Sequence, residues 1–591
     1  MLAAMTKPPA VKSIRGPARV FLVAMIVVSP FLFIWQWGDF TDSGYTATMA
    51  QTFASAAARG FVRSEFLLTL AFGSFLLNAI PGAGLLGLLV AAASLVVVAS
   101  FAPLFALQNR AELPLSVLFA ALAAQSFFIR GWLLFDYDIV ATVFLAWSAA
   151  FAVRGGLMQN KTLLFFAGVL VAGATLARIP SVLALSLCVI PVFMRWHRPG
   201  NEYLSFGRRT SIAASPAFLL LAGFVVGICC ALIALASAGW LGAYLEGLAR
   251  LVGKSQTSGS HGLSRLASTY LLELQHLLWP WMAAALLWLL GAAVVLRQRT
   301  RPWLMYLYFG ITVLAMVVHI VGHPPSFRHP FKFIVPALFV PAAIALLTVG
   351  QGVSLQIRAT LFAGFCIGLA GMAGSNTGIL KFAPGLLFLI PGCVAGAAEW
   401  AGRRGSGLMV PWYKMAVASV VVVMLCSSAV RASSLYGASF WHDRLVHTQP
   451  VDLPLFHGLR TSREKATALE NSCHALQAAD PAAPLFVFGH APLLYFATQK
   501  RPYTDKIWLA DQMHAPDDVL RSLRSEREKT GVLPVIAVTD RNVLGAEGWQ
   551  ALDQFLQENG YVRTYEAKFP RIMNLEVYAA RSEQRKAEGE R

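Results

Sequence analysis

Charged residues are scarce in this chain. Asp, Glu, Lys and Arg together make up 13% of its 591 residues, whereas hydrophobic residues make up 57%. A soluble globular domain carries about a quarter charged residues, so this composition excludes a simple globular enzyme. Negatively charged residues are the fewer, with 30 Asp and Glu against 48 Lys and Arg, and the formal net charge is +18.

Cysteine is also rare, and the common nucleotide-binding signatures are missing. Six of the seven cysteines lie inside or at the edge of apolar blocks and no CxxC spacing occurs, which argues against a disulfide framework or a zinc knuckle. No P-loop or GxGxxG pattern stands in a suitable setting, and the same holds for HExxH and GxSxG. Coupling of this protein to ATP is therefore unsupported.

Long apolar blocks are what the sequence has instead. Each is about 17 to 26 residues long and nearly free of charge, the length that crosses a hydrocarbon layer of about 30 Å. We therefore predict an α-helical polytopic membrane protein with about thirteen transmembrane helices. The predicted spans lie near residues 19–37, 82–107, 114–134, 139–153, 162–178, 180–195, 213–238, 277–296, 303–321, 333–349, 358–374, 383–398 and 412–430.

The basic residues indicate how the chain is oriented. They lie mostly in short loops between apolar blocks, where they set topology, so no nucleic-acid partner is predicted. A cytoplasmic N-terminus places the basic clusters inside at every turn. No cleavage pattern follows the first apolar run, which is therefore taken as a retained helix. The apolar stretch 66–78 is too short to span and is predicted as an interfacial or re-entrant segment on the outer face.

The C-terminal part has the composition of a soluble domain. Residues 1–431 form the predicted transmembrane domain, with a first outer loop at 38–81, and residues 432–591 form a small α/β domain outside the membrane. Within this tail, the periodicity predicts helices at 462–478, 517–529 and 547–559, and strands at 485–489, 532–538 and 574–579.

Ionisable residues gather where the predicted helices meet the outer surface. A charge near membrane depth is costly and is a functional hypothesis by default. Helix capping by Asp42, Ser43 or Asp138 and snorkelling of Arg178 are the structural alternatives. The basic stretch 323–332 opposes the orientation signal, so it calls for an anionic partner such as a phosphate. The candidates are Asp39 and Asp42 after the first helix, Asp136 and Asp138, Arg178, and Arg328, His329 and Lys332.

At these residues the chain resembles the GT-C superfamily of integral-membrane glycosyltransferases, which use polyprenyl-phosphate-linked sugars. The matching motifs are the acidic motif 39–45, the motif 135–138 and the motif 177–180, together with the span number and the tail. The resemblance is greatest to bacterial protein mannosyltransferases and aminoarabinose transferases. It implies a multi-pass protein of the bacterial inner membrane with a periplasmic C-terminal domain.

The resemblance also implies roles for these residues. Asp42, or Asp39 if the register differs, would be the general base of an inverting displacement. Arg328, His329, Lys332 and Arg178 would hold the donor phosphate, while Asp136 or Asp138 would orient the acceptor, bind a metal or position Arg178. Tyr45 and His261 are further acceptor-side candidates. His261 lies in the Gly/Ser-rich stretch 254–265, which is either a lid or a plain linker.

The partners follow in outline only. The donor would be a polyprenyl-phosphate-linked sugar, and the acceptor would be a glycan, a lipid or a protein. The protein itself would contact membrane lipids. The motifs define no metal ligand set, so no cofactor is assigned and dependence on a divalent metal stays open. The tail would either bind the acceptor or cap the site.

Other functions compete with transfer of a sugar. A lipid or anion transporter or flippase would show repeated halves and broken helices near mid-membrane, whereas here the ionisable residues gather at one surface. A glycan polymerase or ligase also uses polyprenyl-linked donors, but it would carry Arg and His within its helices rather than Asp after the first helix. A non-catalytic scaffold leaves the interfacial carboxylates unexplained.

Overall fold

Apolar helices make up the N-terminal part of the structure, and a small mixed sheet lies near the C-terminus. The computed structural model describes residues 15–32, 34–37, 39–53, 66–80, 82, 84–108, 113–129, 133–196, 216–256, 267–272, 275, 335, 339–340, 342–344, 346–347, 353–373, 381–404, 409–433, 446–507, 509, 516–569 and 572–581.

The helices of the N-terminal part are long and apolar. A lipid environment favours helices, because every backbone group is then hydrogen-bonded within its own helix. Within the bundle, the helix that begins at Tyr137 packs against those that begin at Lys161 and Gly84, and the helix that begins at Leu355 packs against the one that begins at Ala383. The described helices are α1 (Arg15–Val28), α2 (Asp42–Phe53), α3 (Leu67–Ala79), α4 (Gly84–Leu107), α5 (Leu115–Ile129), α6 (Tyr137–Met158), α7 (Lys161–Ala177), α8 (Val189–Trp196), α9 (Pro216–Ser237), α10 (Leu241–Gln256), α11 (Leu355–Met372), α12 (Ala383–Arg404) and α13 (Met409–Ser433).

Five described helices are long and apolar enough to cross a membrane, namely α4, α6, α9, α11 and most of α12. These match predicted spans. The total of thirteen stays a prediction, since the spans at 277–296 and 303–321 lie outside the described residues and that at 333–349 is described only in part.

Two predicted spans have a different form in the structure. The first helix ends sooner than residue 37, because α1 passes at Ser29 into a short 3₁₀ helix (Ser29–Phe31) with Pro30 in it. The span predicted at 180–195 begins as a 3₁₀ helix (Ile179–Cys188) opened by Pro180 and becomes α-helical only in α8. In both places a proline, which lacks an N–H donor, marks the departure from a regular α-helix.

Two short helices follow α1. Helix α2 lies in the first loop, and α3 covers the apolar stretch 66–78, which was predicted as an interfacial or re-entrant segment. They pack against each other at Gly73, where an added Cβ would lie 3.0 Å from both Ala50 and Phe135. Stacked rings of Phe53 and Trp240, 4.3 Å apart, fasten the far end of α2 to the start of α10.

The tail contains a four-stranded sheet whose strands begin, in spatial order, at Leu485, Val535, Met573 and Tyr561. The first two are parallel, and the other two continue the sheet antiparallel. The predicted helices and strands of the tail are confirmed to within a few residues, whereas the long strand Tyr561–Phe569 was not predicted. The elements are β1 (Gln449–Pro450), β2 (Arg460–Thr461), α14 (Arg463–Ala479), β3 (Leu485–Phe488), α15 (Leu493–Thr498), α16 (Pro516–Thr530), β4 (Val535–Val538), α17 (Gly545–Glu558), β5 (Tyr561–Phe569) and β6 (Met573–Ala580).

The two faces of this sheet belong to different hydrophobic cores, since side chains alternate along a strand. Phe486 and Ile536 pack on one face, in a core with α16 and α17. Leu485 and Val535 point to the other face and join a core that also contains residues of α2, α3 and α4. One core therefore runs from the first loop into the tail.

Hydrogen bonds and close backbone contacts also join the first loop to the tail. The N–H of Trp37 donates to the carbonyl of Arg460 (2.9 Å), and the N–H of Arg460 donates to the carbonyl of Trp35 (2.6 Å). At the start of α4, a Cβ on Gly84 would lie 2.2 Å from the carbonyl oxygen of Leu455. The proposed boundary near residue 432 therefore separates two parts that share an interface.

Candidate functional site

Asp39 caps the helix that carries Asp42. One oxygen of its carboxylate accepts from the N–H (3.0 Å) and hydroxyl (2.7 Å) of Thr41, and the other accepts from the N–H of Ser43 (2.7 Å). Asp39 is 3% exposed. The capping role that the sequence allowed for Asp42 or Ser43 thus belongs to Asp39, because the chain turns back before the helix begins.

Asp42 lies in the first turn of α2 and is only half-buried. Its charge is close enough to Asp136 to contribute to the raised pKa of that carboxyl group. The two acidic motifs, which are nearly a hundred residues apart in the sequence, are therefore near enough to interact electrostatically. Tyr45 lies on the next turn of α2, half-buried beside the core of the first loop.

The turn that holds Asp136 and Asp138 is built by capping and by aromatic packing. Asp136 is the N-cap of α6, and its carboxylate accepts from the N–H of Ile139 at 2.9 Å. The ring of Tyr137 stacks on Phe66 with centroids 4.2 Å apart. The cap is therefore Asp136 and not Asp138, which leaves the carboxylate of Asp138 for another partner.

That partner is a pair of cations. The Nε of Arg178 lies 3.2 Å from Oδ1 of Asp138, and the Nζ of Lys381 binds Oδ2. The two terminal nitrogens of Arg178 donate to the carbonyls of Ala370 and Ala373, each at 3.0 Å. Arg178 is therefore held at the end of α11, where a cation interacts favourably with the helix dipole.

Lys381 is the site residue that the sequence reasoning missed. It lies between α11 and α12, just before the second of these helices, and it is half-buried. A signal was available, because Lys381 is an isolated cation between two apolar blocks, and its turn is on the same predicted side as the acidic motifs. Its Nζ makes one hydrogen bond among the residues that the structure describes, to Asp138.

Burial and neighbouring charges govern proton binding in this group. Burial, with the nearby carboxylate of Asp138, raises the pKa of Asp136 to about 7. Burial lowers the pKa of Lys381, but the carboxylates of Asp138 and Asp136 outweigh it and leave that pKa above its ordinary value. Lys381 is therefore charged at neutral pH, whereas Asp136 is poised to exchange a proton.

A cavity of about 80 Å³ lies beside these charges. Asp136, Asp138, Arg178 and Lys381 line it, and the rest of its wall is mainly apolar, with Phe128 and Leu145 among its members. Ser181 also lines it; this residue is fully buried, and its hydroxyl has no hydrogen-bond partner within the described part of the chain. The cavity thus combines charged and polar groups with mainly apolar walls.

Several predicted site residues lie outside the described residues, namely His261, Arg328, His329 and Lys332. Their roles stay predictions. In the ranges given above, no three His, Cys, Asp or Glu side chains gather closely enough to hold a metal ion. The structure thus brings together Asp42, Asp136, Asp138 and Arg178 and adds Lys381.

The comparisons with known proteins give similarities of fold. No protein-family model matches the chain, and no curated protein is similar to it in sequence. Among solved structures, it is similar to the oligosaccharyltransferase of Archaeoglobus fulgidus, crystallised with Zn and sulfate. The identity is 11%, the alignment covers 95% of this chain and 73% of the other, and the TM-score is 0.42.

It is also similar to ArnT of Cupriavidus metallidurans bound to undecaprenyl phosphate. There the identity is 14%, the coverage is 95% of this chain and 98% of the other, and the TM-score is 0.37. Both neighbours belong to the superfamily that the sequence motifs resemble. At these identities and TM-scores neither similarity defines the reaction or the site residues of this chain.

Proposed function

We propose that this protein is a membrane glycosyltransferase that moves a sugar from a polyprenyl-phosphate donor to an acceptor at the outer, periplasmic face of a bacterial inner membrane. One observation carries the proposal. Asp136 and Asp138 line an apolar cavity together with the cations Arg178 and Lys381 at a helix boundary, and the charge of Asp42, from a distant motif, acts on Asp136. A base, cations and a hydrocarbon wall are what transfer from a lipid phosphate needs.

Asp42 is the favoured general base. The three hydrogen bonds to the buried carboxylate of Asp39 hold it in a capping role, whereas Asp42 is half-buried and adjoins the charged group. In the proposed step, the Asp42 carboxylate takes the proton of the acceptor hydroxyl. The acceptor oxygen bonds to the anomeric carbon while the bond from that carbon to the phosphate oxygen breaks. This direct displacement inverts the anomeric centre.

The departing phosphate needs cations that are not already fully bonded. Arg178 uses its Nε on Asp138 and its two terminal nitrogens on carbonyls, so we assign it mainly to holding Asp138 and the end of α11. Within the described ranges, the Nζ of Lys381 donates to Asp138 alone, and its pKa is above the ordinary value. We propose Lys381 as a phosphate ligand together with Arg328, His329 and Lys332.

The test is a turnover assay with purified protein and a panel of polyprenyl-phosphate sugars. Asp42→Asn is expected to lower kcat by about 10² to 10⁴, the usual loss for a general base. Asp39→Asn keeps one acceptor oxygen and the shape of the side chain but weakens the cap of α2, so its main effect should be on thermal stability. Undiminished turnover in Asp42→Asn excludes the base, and absence of turnover with every donor in the wild type counts against the function.

A second arm of this assay examines Lys381. Lys381→Gln should raise the KM for the donor and lower kcat, because a cation next to the developing phosphate charge is lost. Lys381→Arg keeps the charge and should retain more activity. Equal loss in both variants, with an equal fall in their thermal unfolding midpoints, would mean that Lys381 acts through folding and not as a phosphate ligand.

Transport is the second candidate function, favoured by the hydrocarbon-walled cavity beside a charged group. A transporter would move lipid or anion across vesicles without any acceptor. Flux of lipid or anion in proteoliposomes that needs no acceptor, and that is unchanged in Asp42→Asn, would favour transport over sugar transfer.

A further inference from the structure

The helix that carries Asp42 is buried between the membrane helices and the tail, and the tail contacts it by backbone. Gly44 lies two residues beyond Asp42, and a Cβ there would be 2.4 Å from the amide nitrogen of Leu493. Only glycine lets the two chains approach this closely. Gly44, Ala47 and Thr48 follow the i, i+3, i+4 spacing of one helical face, and all three are buried.

Two hydrogen bonds fix this contact. The N–H of Leu493 donates to the carbonyl of Phe40 at 3.3 Å, at the turn that leads into α2. The hydroxyl of Thr48 donates to the carbonyl of Pro492 at 3.1 Å, and Thr48 is 1% exposed. The contact therefore holds α2 at both its entry and its second turn.

The segment that makes these contacts is itself closely packed. Residues 491–493 follow strand β3 through Gly489, whose φ of +149° and close approach to Thr539 leave no room for a side chain. Ala491 and Leu493 are buried in the core shared with the first loop. This segment, residues 491–493, is called the support turn below.

We propose that the support turn positions the catalytic base, so that the tail is a structural part of the active site and not only an acceptor-binding or covering domain. The idea rests on the proposed role of Asp42. The support turn sets the position of α2 along the Gly44 and Thr48 face, and Asp42 at the head of α2 is thereby held against the turn of Asp136. A displacement of about 1 Å in a reacting group can cost about 10² in rate, so a small shift of α2 should be visible in kcat.

The test compares kcat and donor KM in variants of the full-length protein. Thr48→Val removes the hydrogen bond to the support turn and should lower kcat about tenfold, with donor KM within about threefold of the wild type, because the binding groups stay in place. Thr48→Ser restores the donor and should restore kcat. Thr69→Val is the matched control, since Thr69 on α3 is equally buried, and its hydroxyl has no hydrogen-bond partner among the residues described here.

A second pair of variants uses the close approach. Gly44→Ala should push α2 away from Leu493 and lower kcat by about 10². Gly242→Ala is its control, because a Cβ on that helical glycine meets no described atom within 4 Å. Thermal unfolding of each variant in detergent reports whether the protein is folded.

The outcomes separate this inference from the proposed function. Turnover by the wild type with kcat unchanged in folded Thr48→Val and Gly44→Ala overturns the positioning role while leaving the glycosyltransferase intact. A rise in KM at constant kcat would mean that the support turn shapes a binding site instead. No turnover in the wild type with any donor overturns the proposed function itself, and with it this inference.

Discussion

Three aspartates of the site show how position decides the chemistry of one side chain. Asp39 accepts three hydrogen bonds as a buried cap. Asp138 binds two cations. Asp136 caps α6, and burial together with the neighbouring carboxylate of Asp138 raises its pKa to about 7. The same carboxylate therefore serves as a cap, as an ion-pair partner and as a group that titrates near neutral pH.

Asp136 gives a prediction for stability against pH. Its pKa is higher in the folded protein than its ordinary value of 3.8, so its contribution to stability is fully present below that value and is lost as pH rises through about 7. Asn at this position can still accept from the N–H of Ile139 but does not titrate. Asp136→Asn should therefore melt above the wild type at about pH 8, and this advantage should disappear at about pH 4.

Thermal unfolding in detergent across this pH range measures the effect. Asp452→Asn at an exposed position of the tail is the control. A difference between Asp136→Asn and the wild type that does not change with pH would contradict the raised pKa.

At the scale of elements, the membrane helices pack through small residues. A Cβ on Gly168 in α7 would lie 1.9 Å from the carbonyl oxygen of Leu220 in α9, and a Cβ on Gly223 would lie 1.9 Å from that of Phe165. Lipid tails are as apolar as leucine, so close van der Waals contact rather than the hydrophobic effect holds such helices together. The crossing of α7 and α9 therefore depends on both glycines.

Gly168→Ala should destabilise the protein by about 1 to 3 kcal/mol, the usual cost of an overpacked contact. The added methyl meets backbone, which cannot rotate away, so the two helices must separate. The measurement is the midpoint of thermal unfolding together with the yield of monodisperse protein. Gly402→Ala in α12 meets nothing within 4 Å and should leave both unchanged; an equal loss there would refute the explanation from the crossing.

At the scale of the whole molecule, the tail and the first loop fold onto one another. They share a hydrophobic core, and a backbone bridge joins Gln36 to Arg460. Gly84 begins α4 with a φ of +49° directly under the carbonyl of Leu455. The tail is thereby attached to a membrane helix as well as to α2.

Substitutions at two neighbouring glycines distinguish the cost of backbone strain from the cost of losing contact with the tail. Gly82 and Gly84 both have positive φ, but among the residues with a described position a Cβ on Gly84 meets the tail at Leu455, whereas one on Gly82 meets no atom within 4 Å. Gly82→Ala should cost about 1 kcal/mol from its backbone conformation alone, and Gly84→Ala clearly more. The check is thermal unfolding together with the rate at which protease cleaves the tail; equal effects of the two changes would refute the attachment at Leu455.

The sequence by itself determined the elements. Apolar blocks of spanning length predicted α4, α6, α9, α11 and α12, and periodicity predicted α14, α16, α17 and the central strands of the tail, because these signals are local. It also singled out Asp42, Asp136, Asp138 and Arg178, since a charge at a membrane boundary stands out against an apolar chain.

Only the tertiary structure decided what these residues do to one another. Asp138 pairs with Arg178 and Lys381, and Leu493 lies against Gly44, although these residues are far apart in the chain. Asp39 caps α2, although its neighbours Asp42 and Ser43 could have done so equally well. Which of these contacts form depends on which helices cross and how closely, and close packing fixes this over the whole molecule rather than within any one segment.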